Sequence, residues 1–329
     1  MLLLCVMLLL AGCAQGEKQN ETKVEKTSAV GFYFDTVVTL SFYGADETLA
    51  HDVWEACDRY EKMLSKTIEE SDVWRINHAK GEKVTVDPET YAILTEAKEI
   101  SEKSGGAFSM TLAPIIAMWD FTGGSERMPT EEARLAALPL VDDTKIALLG
   151  DNTVQLPDGM MIDLGGIAKG YIADKVAEIV RGRCVGAAIN LGGNTYVVGS
   201  KPDGSLWRVG IQDPESKTGT TLAILSLKEG TVVTSGTYER YFEKDSVRYH
   251  HILSPETGLP ANTGLCAATI VTESSMRADA LATACIVLGR EKALRLLEDM
   301  NVDGLLVAYD GTTWQAGDLA QRYQLEWKK

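Results

Sequence analysis

Hydrophobic positions recur along this chain with two different periods, and the mixture predicts both helices and strands. Within residues 46–64, Leu49, Val53, Cys57, Tyr60 and Leu64 fall three or four apart, which predicts a helix with one apolar face. Asp87-Pro88 opens a second helix, because aspartate caps the first turn and proline fits it. Its face is Tyr91, Leu94, Ala97 and Ile100, and Gly105-Gly106 stops it. Residues 275–288 predict a strong helix capped by Ser274 or Ser275, and another helix covers residues 290–300.

Strand signals lie between these helices. Residues 32–42 (FYFDTVVTLSF) read as one strand with Asp35-Thr36 in its middle. Residues 145–149 and 153–156 flank Gly150-Asp151-Asn152 as a hairpin, and residues 160–164 read as a buried strand. Residues 187–199 read as a strand broken by Gly192-Gly193-Asn194, with a β-bulge as the structural alternative. Residues 206–211 and 221–227 are further strands, and residues 232–234 lead into Ser235-Gly236. Residues 305–309 and 313–316 flank the turn Asp310-Gly311. Strands and helices do not alternate regularly, so the fold class is α+β rather than a doubly wound parallel sheet. There is no internal repeat and no linker after residue 30, so one catalytic unit with room for two lobes is expected.

The first 13 residues, MLLLCVMLLLAGC, break this pattern. The apolar run is too short to span a bilayer and ends in small residues before Cys13, as in a bacterial lipoprotein signal. Residues 1–12 are therefore read as a signal peptide and Cys13 as the lipidated N-terminus. Residues 14–29 are polar and charged apart from Val24, which completes a flexible tether over 13–29 ahead of a domain at 30–329. The basic segment that normally precedes such a run is missing, so a start further upstream is expected. The expected location is extracytoplasmic, anchored to the membrane. A net charge of −15 argues against a nucleic-acid partner. Cys57, Cys184, Cys266 and Cys285 are scattered, with no C-x-x-C pair to suggest zinc, and free buried thiols are expected.

Four constellations carry chemistry. In IDLGGIAKGYIAD (residues 162–174) a double-glycine turn leads into a helix start, which lets backbone amides approach an anion. Lys169 adds a cation, and Asp163 offers an acceptor to a ligand donor. The spacing matches neither common nucleotide motif. In MRADALAT (residues 276–283), Asp279 and Thr283 share one helix face four residues apart and offer two hard oxygens suited to Mg²⁺. His250 and His251 are adjacent, so at most one enters a given site, where it could act as a general base. His51 and His78 read as structural or exposed. Thr234-Ser235-Gly236-Thr237 and Asn190-Leu191-Gly192-Gly193-Asn194 add polar strand ends that could cradle a phosphate or a base. Each signal alone has an ordinary structural explanation. The set suits metal-assisted phosphoryl or nucleotidyl chemistry.

The order of these blocks resembles the FAD:protein FMN transferases, the ApbE family, across about residues 31–320. The blocks are Asp35-Thr36; Leu64-Ser65 through Ser71-Asp72 to Arg75-Ile76-Asn77; Gly105-Gly106-Ala107-Phe108; IDLGGIAKGYIAD; Asn190–Asn194; Gly210–Pro214; TSGTYERYF; HHILSPETGLP; and ADALATA. The resemblance implies a mixed-sheet, T-fold-related catalytic unit that uses FAD and Mg²⁺, with Mn²⁺ as an alternative. It implies that a threonine hydroxyl of a membrane-associated redox protein attacks the FMN phosphorus and that AMP leaves. By position it implies Asp279, Thr283 and the Gly166 carbonyl as metal ligands, with a backbone contact from Ala282. His251 corresponds to the proton acceptor. Asp163, Lys169, Ala107 and Phe108 correspond to FAD contacts, and Phe34 and Leu253 to apolar flavin positions. Two further FAD positions depart from the family pattern. Ser109 stands where an aspartate is common, and Thr67 where a bulkier, often aromatic residue is common. An FAD pyrophosphatase and a non-enzymatic flavin-binding lipoprotein remain as alternatives.

Overall fold

The computed structural model describes residues 24–121, 123–216 and 219–328. The signal-peptide expectation and Cys13 lie outside them. Among the described residues, eight strands form one sheet and lie in it in the order they occur in the chain. They are β1 (Lys26–Tyr33), β2 (Thr36–Tyr43), β3 (Gly186–Leu191), β4 (Asn194–Gly199), β5 (Gly230–Gly236), β6 (Leu265–Thr272), β7 (Asp303–Ala308) and β8 (Thr313–Ala316). Each neighbouring pair is antiparallel. The α+β class is as expected, and the strands of this sheet are antiparallel rather than mixed.

Five longer helices accompany the sheet: α1 (Leu49–Leu64), α2 (Pro88–Lys103), α3 (Ala168–Val180), α4 (Ser275–Leu288) and α5 (Arg290–Asp299). The sequence located α1, α2, α4 and α5 to within a few residues and gave the start of α3 but not its end. The apolar face of α1 is buried at all five expected positions, and Asp87 caps α2 by accepting from Glu89 N. Helices α3 and α4 cover one face of the sheet, and a smaller sheet of Trp207–Gln212, Thr221–Leu227 and Glu326–Trp327 packs on the other. The central strands therefore bury both faces. On β5, Val233 faces the helices and Val232 the small sheet; on β6, Ala268 and Ile270 oppose Ala267 and Val271. Such a strand loses its polar alternation, which is why LCAATIVT gave no strand signal.

Three expectations change. Residues 32–42 are not one strand, because β1 and β2 form a hairpin whose turn is Phe34-Asp35, both at positive φ (54° and 56°). Nor is the glycine break at 192–193 a bulge. It is the turn of the β3–β4 hairpin, again with two positive φ values, the pattern of a two-residue I′ turn. In residues 160–164, Met160, Ile162 and Leu164 are buried in alternation, but the segment joins no sheet. In addition, β1 starts at Lys26, inside the segment read as tether.

Helix α4 is buried almost all round, with Asp279 only 3 % exposed in the middle of it. A charged residue in a buried helix needs compensating partners, and α3 provides one side of them. Asp174 on α3 accepts from Ser275 N at 2.7 Å and Met276 N at 3.0 Å, at the start of α4. Ser274 caps α4 by accepting from Arg277 N. The two helices touch so closely at Gly170 that a Cβ there would lie 2.2 Å from the Ser275 carbonyl oxygen. The four cysteines are free, and Cys57, Cys266 and Cys285 are buried. No helix among the described residues is long and apolar enough to cross a membrane.

Candidate active site

The glycine turn is built from the segment before it. Asn77 takes the place of a strand partner: its Oδ1 accepts from Ile162 N at 2.7 Å, and its Nδ2 donates to Ile162 O at 2.9 Å. Asp163 N donates to Met110 O at 2.8 Å. The chain then turns at Gly165-Gly166 and enters α3 through Ile167, which offers no side-chain cap. Asp163 Oδ1 accepts from Gly165 N at 2.8 Å, and Lys169 Nζ donates to Gly165 O at 3.1 Å. A Cβ on Gly166 would sit 3.2 Å from the Phe108 ring and 3.8 Å from Thr283 Oγ1. The turn is thus sandwiched between Phe108 and α4, and only glycine leaves that gap unfilled.

Across the gap, Asp279 Oδ2 accepts from Gly170 N at 3.0 Å and lies 3.9 Å from Lys169 Nζ. Thr283 Oγ1 is 3.4 Å from Ser235 Oγ at the end of β5. Gly166, Asp279 and Thr283 are therefore neighbours, joined by Lys169 and Ser235. Among the described residues, Asp279 Oδ1 makes no hydrogen bond, and no group of three or more His, Cys, Asp or Glu side chains converges anywhere. A carboxylate oxygen, a hydroxyl and a peptide carbonyl form a sparse, hard-oxygen donor set. It fits a cation that completes its shell with water and substrate oxygens, and it does not fit zinc.

The two histidines have different surroundings. His250 is buried, and its Nε2–H donates to Ala261 O at 3.1 Å, while Nδ1 is buried without a partner among the described residues. Burial, and to a lesser degree Arg248, pushes its pKa down to about 4. His251 is half-buried, and its Nδ1 lies 3.2 Å from Arg240 O. A carbonyl only accepts, so Nδ1 carries the proton and Nε2 keeps a free lone pair. Burial first, then the Arg240 and Lys169 charges, push its pKa down to about 3. The ring is neutral at ordinary pH and ready to accept a proton. Arg240 also donates to Asp35 O at 3.1 Å, and Phe34 N donates to Glu61 Oε1 at 2.8 Å. These bonds hold the strained hairpin tip against the site, and backbone strain of this kind gathers at functional positions.

The His250 environment makes a stability prediction. An unfolded histidine titrates near 6.5, whereas the folded one resists protonation until about pH 4. As pH falls between these values the unfolded state takes up a proton that the folded state refuses, so stability is lost on acidification. The depression corresponds to about 3 kcal/mol for this group. Urea midpoints measured from pH 7 to 4 should fall, and a His250→Met variant should show a shallower fall. An equal slope in both proteins contradicts the argument.

The other expected positions are distributed around this centre. Phe108 is 3 % exposed and backs the glycine turn, and Ala107 is buried beside it. Leu253 is buried in an apolar cluster with Trp119 and Phe242, two residues beyond His251. Phe34 is half-buried at the hairpin tip. Thr67 is exposed on the loop after α1 and bonds only locally, its N donating to Ser65 Oγ at 3.1 Å. The Ser109 hydroxyl donates to Asp143 at 2.7 Å and caps the turn at Met110–Leu112. Its hydroxyl hydrogen is therefore committed within the protein. His51 pairs with Glu55 on α1 and His78 stacks on Trp74, both outside the site.

Several contributors escaped the sequence reading. Asn77 and Arg240 lie inside quoted blocks but act through backbone groups, which residue type does not reveal. Asp143 collects Ser109, Met110 N and Thr111 with no motif to announce it. Glu239, beside Arg240, faces the Lys169 and Asp279 charges. The surrounding walls raise its pKa, Lys169 and Arg240 oppose that rise, and Asp279 adds to it. Lys66 reaches Asp163 across 97 residues of sequence.

Comparison with known proteins agrees with this geometry. The family model described as "ApbE family" matches residues 34–306. A Treponema pallidum protein named FAD:protein FMN transferase is 33 % identical over 98 % of this chain and 94 % of its own length. A Klebsiella pneumoniae protein of the same name is 36 % identical over 86 % of this chain and 89 % of its own. Among solved structures, the ApbE protein of Thermotoga maritima superposes with a TM-score of 0.82 at 34 % identity, covering 89 % of this chain and 97 % of its own. The apo flavinyl transferase ApbE of Pseudomonas stutzeri gives 0.80 at 29 % identity, over 91 % and 97 %.

Proposed function

The chain belongs to the ApbE family, and on that premise we propose that it transfers FMN from FAD to a threonine hydroxyl of an acceptor protein, with release of AMP. The observation that carries this reading is the meeting of Gly166, Asp279, Thr283 and Lys169 at one glycine turn, with the neutral His251 facing the same charges.

Asp279, Thr283 and the Gly166 carbonyl would hold Mg²⁺, or Mn²⁺ with the same oxygen preference. When bound, such an ion neutralises charge on the pyrophosphate and acts as a Lewis acid. Lys169 contributes a fixed positive charge to the same end. Phe34 and Leu253 supply apolar surface for the flavin, and Phe108 and Ala107 close the wall behind the turn. His251 Nε2 takes the proton from the incoming threonine hydroxyl. The hydroxyl oxygen bonds to the FMN phosphorus, the phosphorus–oxygen bond to AMP breaks, and AMP leaves. His251 then returns its proton to solvent. A base whose proton-bearing nitrogen is fixed by Arg240 O presents its lone pair without reorganisation.

The acceptors in this reading are membrane-associated redox proteins. The enzyme meets them outside the cytoplasm, held to the membrane by a lipid on Cys13, and the short apolar run with Ala11-Gly12-Cys13 supports that placement.

The test is incubation with FAD and Mg²⁺, with and without a threonine-bearing acceptor, reading acceptor mass together with AMP and free FMN. An acceptor heavier by one FMN, with matching AMP, is expected. FMN and AMP in equal amounts with an unlabelled acceptor would make the protein an FAD pyrophosphatase. Intact FAD recovered in complex would make it a flavin carrier.

A further inference from the structure

The glycine turn has a second cation that neither the motif nor the family comparison assigns. Lys66 lies on the loop after α1, and that loop is closed on itself. Ser65 Oγ accepts from Thr67 N at 3.1 Å and Ile68 N at 3.2 Å, and Ser71 Oγ donates to Ser65 O. So held, the loop presents Lys66 Nζ to Asp163 Oδ2 in an ion pair. The other oxygen of the same carboxylate accepts from Gly165 N. Lys169 Nζ donates to Gly165 O. Two lysines from distant parts of the chain thus bear on Gly165, Lys169 directly through its carbonyl and Lys66 through the Asp163 carboxylate that holds its amide, in a protein whose net charge is −15.

The pair is poorly placed to stabilise the fold. The Lys66 side chain is 41 % exposed, and ion pairs of that kind contribute roughly 0–1 kcal/mol. Its position has a clearer electrostatic consequence. An anion approaching the Gly165-Gly166 backbone would meet an uncompensated Asp163 carboxylate and be repelled. Lys66 cancels that charge and places an ammonium where the anion arrives.

We propose that Lys66 is a second phosphate-binding cation of this site, acting with Lys169 on the pyrophosphate of the dinucleotide. The proposal rests on the reading of the turn as the pyrophosphate site. In binding, Lys66 exchanges part of its contact with Asp163 for a phosphate oxygen, and the released Asp163 oxygen is free to accept from a ligand donor. No bond is made or broken covalently.

The experiment compares FAD with riboflavin, which has the flavin but no phosphate, on the full chain by flavin fluorescence at several salt concentrations. For Lys66→Gln, FAD affinity is expected to fall by about tenfold, with riboflavin affinity unchanged. The decline of FAD affinity with salt should become shallower, because one charge contact is gone. Lys66→Arg should keep most of the wild-type affinity. Unchanged FAD affinity in Lys66→Gln overturns the proposal. So does an equal loss for both ligands, which would mean that Lys66 only holds the loop. Wild-type protein that binds FAD no tighter than riboflavin overturns the pyrophosphate reading itself, and the Lys66 proposal with it.

Discussion

An Asp279→Asn variant should remain folded and lose FMN transfer by about 10³-fold or more, the equivalent of several kcal/mol of transition-state stabilisation. Asparagine keeps an oxygen in place for the Gly170 amide, which Asp279 Oδ2 now accepts at 3.0 Å. What it removes is the negative charge, and with it the strongest donor for a hard cation and the counter-charge 3.9 Å from Lys169. The loss should therefore depend on metal: raising Mg²⁺ into the millimolar range and above should recover part of the rate. Asp279→Ala should be as inactive and also less stable than Asp279→Asn by about 1–3 kcal/mol, because a buried amide loses its acceptor. AMP release and acceptor mass against Mg²⁺ concentration, with melting curves for both variants, measure this. A wild-type rate and Mg²⁺ requirement in Asp279→Asn would remove Asp279 from the metal site.

Replacing His251 by alanine should slow transfer by about 10²–10⁴-fold, the usual contribution of a positioned general base. FAD affinity should change little, since the ring's role begins with the acceptor hydroxyl. The pH profile gives a sharper reading. Activity needs the neutral ring, so it is lost as pH falls through the folded pKa of His251. Burial and the Arg240 and Lys169 charges hold that value far below the ordinary 6.5, near 3. In wild-type protein, kcat/KM should therefore show no histidine step near pH 6.5. A clear acid limb at that pH, absent in His251→Ala, would show that the ring titrates normally and is open to solvent. Bound FAD brings phosphate charge close to the ring, so the profile of kcat should be displaced upward relative to that of kcat/KM.

How much of this was legible in the sequence depended on whether a signal was local. Helix α1 announced itself through five apolar positions on one face, and α2 through Asp87-Pro88 and Gly105-Gly106, because a half-buried helix must alternate with its period. Strand β6 gave no such sign, since both its faces are covered and nothing polar is left to alternate. The β1–β2 turn was also silent. Phe34 and Asp35 both adopt positive φ without a glycine, and what supports them is Glu61 and Arg240, which lie 27 and 205 residues away from their respective partners. Residues 160–164 read as a strand for a good reason, since Met160, Ile162 and Leu164 are buried in alternation. Their backbone partner turned out to be the side chain of Asn77.

The candidate site divides in the same way. Asp279 and Thr283 lie one helical turn apart, and Gly165, Gly166 and Lys169 lie within five residues at the turn into α3, so each half is local in sequence. The sequence by itself determined those halves, the α+β class and the positions of the main helices. Only the tertiary structure decided that the halves face each other, that Arg240 fixes the tautomer of His251, that Ser109 is occupied by Asp143, and that Lys66 joins Asp163. None of these contacts follows from the period of a single element, and the first of them is set by how α3 and α4 pack on one sheet. The close approach at Gly170 and the Asp174 bonds to the start of α4 fix that packing. Local periodicity fixes which face of an element is apolar, whereas the partner that face meets depends on the shapes of all the other elements at once.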